Sequence, residues 1–270
     1  MPTPSDTDTV SSGYLFDNST EDAERQVELL AEILDGHTET VLSDLDINTD
    51  WQCLDLGSGG GSVAGLLAGP FGVEHVVAID EDPRYIEQRE GLEIRQSDVM
   101  DTVLGTDVYD LIHARLLFMH LPQREHLLHR AVTALKPGGL IVVSDWDCTH
   151  LDEMLLTDDE ELRDAFLAFQ NGLITLGERR GMDAAWARRI PAAFAAAGLS
   201  DIGALVYNQL WRGGQPGMQL HACNSRQLQE PLLDAGITMH QLDVLREGMQ
   251  DPRVIGYTYP MYTAIGRRPH

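Results

Sequence analysis

The chain has 270 residues, 43% hydrophobic and 23% charged, the balance of a folded protein and not of a disordered one. Its 43 acidic side chains against 19 basic ones give a formal net charge of −24, a surface that repels phosphate backbones and anionic lipid, so neither nucleic acid nor membrane is an expected partner. Cys53, Cys148 and Cys223 lie far apart with no CxxC spacing and no ligand-spaced His/Asp/Cys cluster accompanies them, which predicts no disulfide framework and no metal site. With no apolar run of ~18 residues and no signal-peptide pattern at the N-terminus, the expectation is a cytoplasmic protein.

Taken in chain order, residues 1–13 are polar, and a helix is predicted from about Thr20, where Glu21, Asp22 and Glu24 suit the positive end of the helix dipole. Val27, Leu30, Ile33 and Leu34 recur at helical spacing, and a second short helix, Thr38–Leu45, follows Gly36. Types then alternate: strand Gln52–Leu56, helix Ser62–Leu67, strand His75–Ile79, helix Pro83–Arg89, strands Leu92–Gln96 and Val108–Ile112. Helix Gln123–Leu135 and strand Leu140–Ser144 come next, separated by the turn Pro137-Gly138-Gly139.

Such alternation specifies a parallel sheet covered on both faces, with right-handed crossovers. Beyond Ser144 the pattern is helical over Glu160–Leu176, with Leu162, Phe166, Phe169, Leu173 and Leu176 on one face, and over Ala184–Ala197. A strand Ile202–Trp211, helices Ser225–Leu233 and Thr238–Glu247, and a strand Val254–Gly266 close the chain. The expected fold is α/β: a Rossmann-like, doubly wound seven-stranded sheet with the last strand antiparallel, a helical N-terminal extension and a helical insertion after the fifth strand. Residues 1–50, which hold 13 acids and the single base Arg25, form the extension, a lid or an arm for homodimerisation. Residues 51–270 form the main domain, with 150–200 as a helical cover.

The informative segment runs from Asp55 through Gly57-Ser58-Gly59-Gly60-Gly61 to Ser62, between a predicted strand and a predicted helix. Glycines there permit a tight turn and close approach of a ligand to the backbone. A dinucleotide fingerprint needs glycine at its first, third and sixth positions, and counting from Gly57 the sixth is Ser62; the spacing is instead Asp-x-Gly-x-Gly-x-Gly. Asp80 closes the next strand, where an acid can accept hydrogen bonds from ribose hydroxyls, and Asp98 follows the third strand at the same sheet edge.

The ordered landmarks DLGSGGG, VVAID, QSDVMD, YDLIHARLLFMHLP and LKPGGLIVVSD, between Trp51 and Trp146, resemble those of class I S-adenosylmethionine (SAM)-dependent methyltransferases. The resemblance implies SAM as cofactor and S-adenosylhomocysteine (SAH) as product. It places Gly57 and Gly59, above Asp55, along the methionyl part, Asp80 at the ribose, Asp98 and the Val99 backbone at the adenine, and His113 to Arg115 at the sulfonium end. The segments GYLFDN, QLWRGGQPG and GYTYPMYTAIGRRP further resemble bacterial natural-product methyltransferases. That implies a small-molecule substrate, an aromatic or heteroaromatic metabolite of a biosynthetic pathway. Tyr14 is then either a lid contact on the cofactor or a hydrophobic staple with Phe16.

Methyl transfer from a sulfonium is an in-line displacement, so alignment supplies much of the rate, and a base is needed only where the nucleophile loses a proton. His120, in LLFMHLP, is the candidate base, with Asp145 at the end of the fifth strand as its orienter; the alternative is a histidine that caps the turn before Pro122. Among aromatics in or after the fifth strand, Trp146, Phe166, Phe169, Trp186, Trp211, Tyr257 and Tyr259 are candidates to line a substrate cavity, or else are core, with Trp146, Phe169, Trp211 and Tyr257 taken as substrate contacts. Alternative functions are a SAM-binding protein catalysing a non-transfer step such as cyclisation, a nicotinamide-dependent oxidoreductase, and a non-catalytic partner subunit.

Overall fold

The computed structural model describes residues 21–270. Helix α1 (Glu21–Ser43) leads into β1 (Gln52–Leu56), α2 (Ser62–Ala68), β2 (His75–Asp80), β3 (Leu92–Gln96) and β4 (Tyr109–Arg115). Next come α3 (Arg124–Ala134), β5 (Leu135–Trp146), β6 (Leu155–Leu156), α4 (Glu160–Glu178), α5 (Ile190–Ala196) and β7 (Ser200–Tyr207). The chain closes with β8 (Leu210–Arg212), α6 (Pro216–Gln227), α7 (Gln229–Asp234), α8 (Met239–Gly248), β9 (Ile255–Tyr257) and β10 (Met261–Arg267).

The main sheet has seven strands in the order β3-β2-β1-β4-β5-β10-β7. Strands β1 to β5 are mutually parallel, and β10, the last in the chain, runs antiparallel to both neighbours, as expected. Strand order reverses between β1 and β4, and in such sheets a ligand crevice opens at the carboxyl ends of the strands flanking that reversal. Side-chain alternation along β1 explains why both faces are covered. Cys53 packs in one cluster with Val63, Ala64 and Leu67 of α2, whereas Leu54 and Leu56 belong to a second with Leu127, Leu128 and Ala131 of α3.

Several boundaries differ from expectation for identifiable reasons. Gly36 does not interrupt α1: the ~1 kcal/mol that glycine costs relative to alanine is outweighed by burial of Leu29, Ile33, Leu34, Val41 and Leu42 on either side. The helix expected at Pro83–Arg89 is a single 3-10 turn, Pro83–Tyr85, because only Ile86 of residues 83–90 is buried and no apolar stripe exists to pack. The turn at Pro137-Gly138-Gly139 is absorbed into β5 as a register shift: Tyr109 pairs with Leu135 and Leu111 with Leu140. Ala184–Ala197 divides into a 3-10 turn, Trp186–Arg189, and α5, since Pro191 has no N–H for a continuous helical ladder.

Both long closing strands break. Ile202–Trp211 parts after Tyr207, and Val254–Gly266 parts after Tyr257, ahead of Pro260. The detached pieces, β8 and β9, join β6 in a separate three-stranded sheet of order β6-β9-β8. Helix α6 starts at Pro216, not Ser225, with proline in the first turn where its missing N–H is harmless.

Candidate active site

Three loops meet at the carboxyl edge of β1, β2 and β3. The backbone N–H groups of Gly57 and Ser58 both donate to Ile79 O (2.9 and 3.1 Å), which ties the glycine turn to the end of β2. Asp80 fastens it from the other side: Oδ2 accepts the Gly59 N–H and Oδ1 the Asp82 N–H, each at 2.8 Å. Burial raises the Asp80 carboxyl above its ordinary value in spite of those two donors. Gly59 has φ +53° and, among the described residues, nothing within 4 Å of where a Cβ would stand, so a left-handed turn residue faces space that the described residues leave open beside the Asp80 carboxylate. A Cβ on Gly60 would stand 2.2 Å from Val27 Cγ1, because α1 lies directly on this loop. At the end of β3, Asp98 Oδ1 accepts the Met100 N–H (2.7 Å), and Arg130 of α3 donates to the carbonyls of Val99 and Met100 (3.1 and 2.6 Å).

Beneath the glycine turn His113 Nδ1 meets Asp55 Oδ1 at 2.8 Å, both side chains buried. Asp55 Oδ2 and His113 Nε2 have no hydrogen-bond partner among the described residues. His113 and Arg115 were expected just beyond the fourth strand; they lie within β4, at its carboxyl end. Arg115 turns away from the crevice to α1 and α2, donating to Asp35 Oδ1, Thr38 Oγ1 and Ser62 Oγ, each at 2.9 Å. It is a tether for α1.

A small cavity of about 80 Å³, partly open to solvent, adjoins this edge. Leu116, at the end of β4, lines it, and the next residue, Leu117, reaches within 2.8 Å of where a Cβ on Gly57 would be. The glycine turn and the cavity are thus one residue apart. Leu116 has φ +55°, a left-handed conformation that costs a branched side chain roughly 1–2 kcal/mol and is characteristic of functional turns. Met119 and the half-buried His120, in the 3-10 turn Phe118–His120, form another part of the wall. Burial, aided by the nearby Arg124 guanidinium, lowers the His120 imidazole to about 4 and leaves it neutral at pH 7.

Asp145 was expected to orient that imidazole, or else to position substrate. It is fully buried, and its Oδ2 accepts the Met119 N–H at 3.2 Å. Burial pushes its carboxyl up to about 8, against the pull of the Met119 N–H, Trp186, the Leu117 N–H and Arg124. The acid supports the turn that carries His120 through the backbone, in its protonated form at neutral pH.

Of the expected cavity aromatics, Trp146 lines the wall. Its ring lies 5.3 Å from that of Tyr259, a second wall residue, whose hydroxyl donates to Gln170 Oε1. The others stand elsewhere: Phe166 and Trp186 are core residues, packed against His221 and Phe118. Phe169 is fully buried against His221; Trp211 sits on β8 with its ring 2.3 Å from where a Cβ on Gly217 would be; Tyr257 lies in β9, paired with Leu210. The reason is the break after Tyr257, which moves the following aromatic, Tyr259, to the cavity. Tyr14 lies outside the described residues. Sequence reasoning did not find Gln26 and Leu30 of α1, Leu173 and Ile174 of α4, or Leu220 and Asn224 of α6 as wall residues. They come from helices far apart in the chain, and helical periodicity marks a buried face without saying what it faces. Among the described residues no group of three or more His, Cys, Asp or Glu side chains is arranged to hold a metal ion, and no helix is long and apolar enough to cross a membrane.

Comparison with known proteins bears on this geometry. The chain is 30% identical over 149 residues to methyltransferase GfsG of Streptomyces halstedii, 52% of this chain and 51% of that one. To phosphoethanolamine N-methyltransferase of Plasmodium falciparum it is 25% identical over 150 residues, 52% of this chain and 54% of the other. The chain spans about half the length of these relatives. A Haemonchus contortus phosphoethanolamine N-methyltransferase solved with SAH superposes with a TM-score of 0.61 at 17% identity, covering 97% of this chain and 61% of that one. Residues 23–190, which hold the glycine turn, Asp80, Asp98 and the turn bearing His120, match a family described as a methyltransferase domain. By that match, and with this strand order, the chain belongs to the methyltransferase-domain family.

Proposed function

We propose that the protein uses SAM to methylate a small aromatic or heteroaromatic acceptor held in the cavity beside the glycine turn. The observation that carries this reading is the junction at Leu116-Leu117: one side chain lines the cavity and the next touches the glycine turn. The residues present fit the cofactor. Open space at Gly59 lies next to the Asp80 carboxylate, and each carboxylate oxygen, having two acceptor sites, keeps capacity for a ribose hydroxyl after taking its backbone N–H. Asp98 and Val99 stand at the adjoining strand end, and the buried, unpartnered Asp55 Oδ2 lies under the turn. When bound, SAM supplies a methyl group already activated on a sulfonium.

The chain's own residues then need to align the acceptor. Trp146 and Tyr259 bring two aromatic side chains to the cavity wall, against which a planar molecule would pack. His120, neutral at pH 7, accepts a hydrogen bond from the acceptor's O–H or N–H and directs its lone pair. An imidazole lowered to about 4 is too weak a base to ionise a phenol beforehand. It receives the proton as the new bond to carbon forms and the heteroatom becomes strongly acidic.

The test is isothermal titration with SAM and SAH, then mass spectrometry of a panel of phenols and N-heterocycles incubated with SAM, where a product one CH₂ heavier is expected. His120→Ala should lower kcat by roughly 10²-fold and leave SAH affinity intact. Absence of SAM and SAH binding would overturn the reading.

A further inference from the structure

The cavity wall is unusual in its polar groups. Among the described residues lining it there is no Asp, Glu, Lys or Arg. Its three ionisable members are held neutral at pH 7 by burial: His120 lowered to about 4, the Cys148 thiol and the Tyr259 hydroxyl raised well above their ordinary values. A phosphate, carboxylate or ammonium placed there would lose its water without gaining a counter-charge from any of these lining residues.

Two buried primary amides stand in this apolar wall. Gln26 of α1 and Asn224 of α6, 4% and 6% exposed, are joined by a hydrogen bond from Gln26 Nε2 to Asn224 Oδ1 at 2.8 Å. That bond uses one N–H and one carbonyl, leaving Gln26 Oε1 as an acceptor and the Asn224 NH₂ as a donor on neighbouring groups. If both amides are turned over, the remaining pair is again one acceptor and one donor. The pair is held by the seam between its two helices. Arg25 donates to Gln219 (2.9 Å), Gln227 to Asp22 O (3.0 Å) and Arg226 to Asp22 (2.9 Å), the residues just before Gln26 and on either side of Asn224. Two amides brought together from residues about two hundred positions apart contribute less to a core than two apolar side chains of the same size would, which points to a ligand as the reason for their presence.

We propose that the Gln26–Asn224 pair is the acceptor-recognition element, and that the acceptor it selects is an uncharged ring carrying a hydrogen-bond donor and acceptor side by side, as in an amide or lactam. This rests on the methyl-transfer reading and narrows its substrate class. Complementary pairing rejects molecules that lack those groups, because the protein's own amides would be left unsatisfied.

The test uses the full chain saturated with SAH and three probes of one shape: 3-hydroxybenzamide, 3-hydroxybenzoate and 3-ethylphenol, titrated calorimetrically. The amide should bind at least about tenfold more tightly than either of the others, the scale of one or two buried hydrogen bonds. In Gln26→Leu and in Asn224→Leu that preference over 3-ethylphenol should vanish, with SAH affinity reporting that each variant is folded. Equal binding of the benzoate and the benzamide by the wild type overturns the proposal without any variant. So does an amide preference that survives in both variants, or failure of all three probes to bind. Failure to bind SAH at all is a separate result: it removes the methyl-transfer reading itself.

Discussion

The buried acid behind His120 gives the sharpest test of how the site is built. Asp145 is fully buried, its Oδ2 takes the Met119 N–H, and its Oδ1 has no hydrogen-bond partner among the described residues. With its carboxyl pushed from the ordinary 3.8 to about 8, the native protein holds a proton that the unfolded chain releases. Between pH 4 and pH 8 the unfolded state therefore binds one proton fewer, and stability falls as pH rises by ~1.4 kcal/mol per pH unit. Over the whole window this amounts to roughly 5 kcal/mol from one group. Asp145→Asn is the closest uncharged mimic of the protonated acid: its carbonyl accepts from Met119, its NH₂, with two N–H groups, stands where the acid carries one O–H, and it cannot ionise. The variant should match the wild type near pH 4 and become progressively more stable above it, melting roughly 10 °C or more higher by pH 8. Thermal denaturation of both proteins at half-unit steps from pH 4 to 8.5 reads this directly. Parallel curves would refute the reasoning and return Asp145 to the role of an ionised orienter of His120.

Other substitutions separate the roles of individual residues. Gly59→Ala places a methyl in open space at a left-handed position; the strain costs about 1 kcal/mol, and calorimetry should show SAH affinity falling well beyond what that accounts for. Arg115→Met removes three hydrogen bonds, one to a carboxylate, between β4 and the α1–α2 pair. A loss of about 2–3 kcal/mol in urea denaturation is expected, together with faster amide exchange confined to α1. Phe169→Ala, in the core and off the cavity wall, should cost about 3–5 kcal/mol and leave the SAH affinity of the folded protein unchanged.

Legibility from sequence followed the physics of each element. Gln52–Leu56 and Leu92–Gln96 were readable to the residue because short parallel strands are bounded by turn residues on both sides. The glycine turn, Asp80 and Asp98 were readable because strand ends in a parallel sheet converge on one edge by topology alone. What could not be read were decisions made by tertiary contacts. Gly36 looks like a stop signal but sits in a helix with a buried face on either side of it, at Ile33, Leu34, Val41 and Leu42, and the aromatic pair Tyr257 and Tyr259 differ in destination because the strand breaks between them. Asp145 has the spacing of an orienter, and only its burial shows that the charge such a role needs is suppressed.

Helix α1 joins these two levels. Its consecutive residues Gln26 and Val27 face different sites: Gln26 enters the cavity wall and Val27 rests on the glycine turn at Gly60. One turn further on, Leu30 lines the cavity again, and Asp35 and Thr38 receive Arg115 from β4. The sheet alone therefore presents an open edge carrying the glycine turn, Asp80 and Asp98, the groups proposed to hold the cofactor, but no enclosed place for a second molecule. The enclosure arises when α1 lies across the edge and meets α6. Because a helix is rigid over this distance, the glycine turn and the amide pair are held at a fixed spacing by adjacent residues of one element. On the proposed reading this fixed spacing is what in-line transfer requires, since small errors of alignment are expensive, and it comes from a segment whose sequence shows only an acidic amphipathic helix.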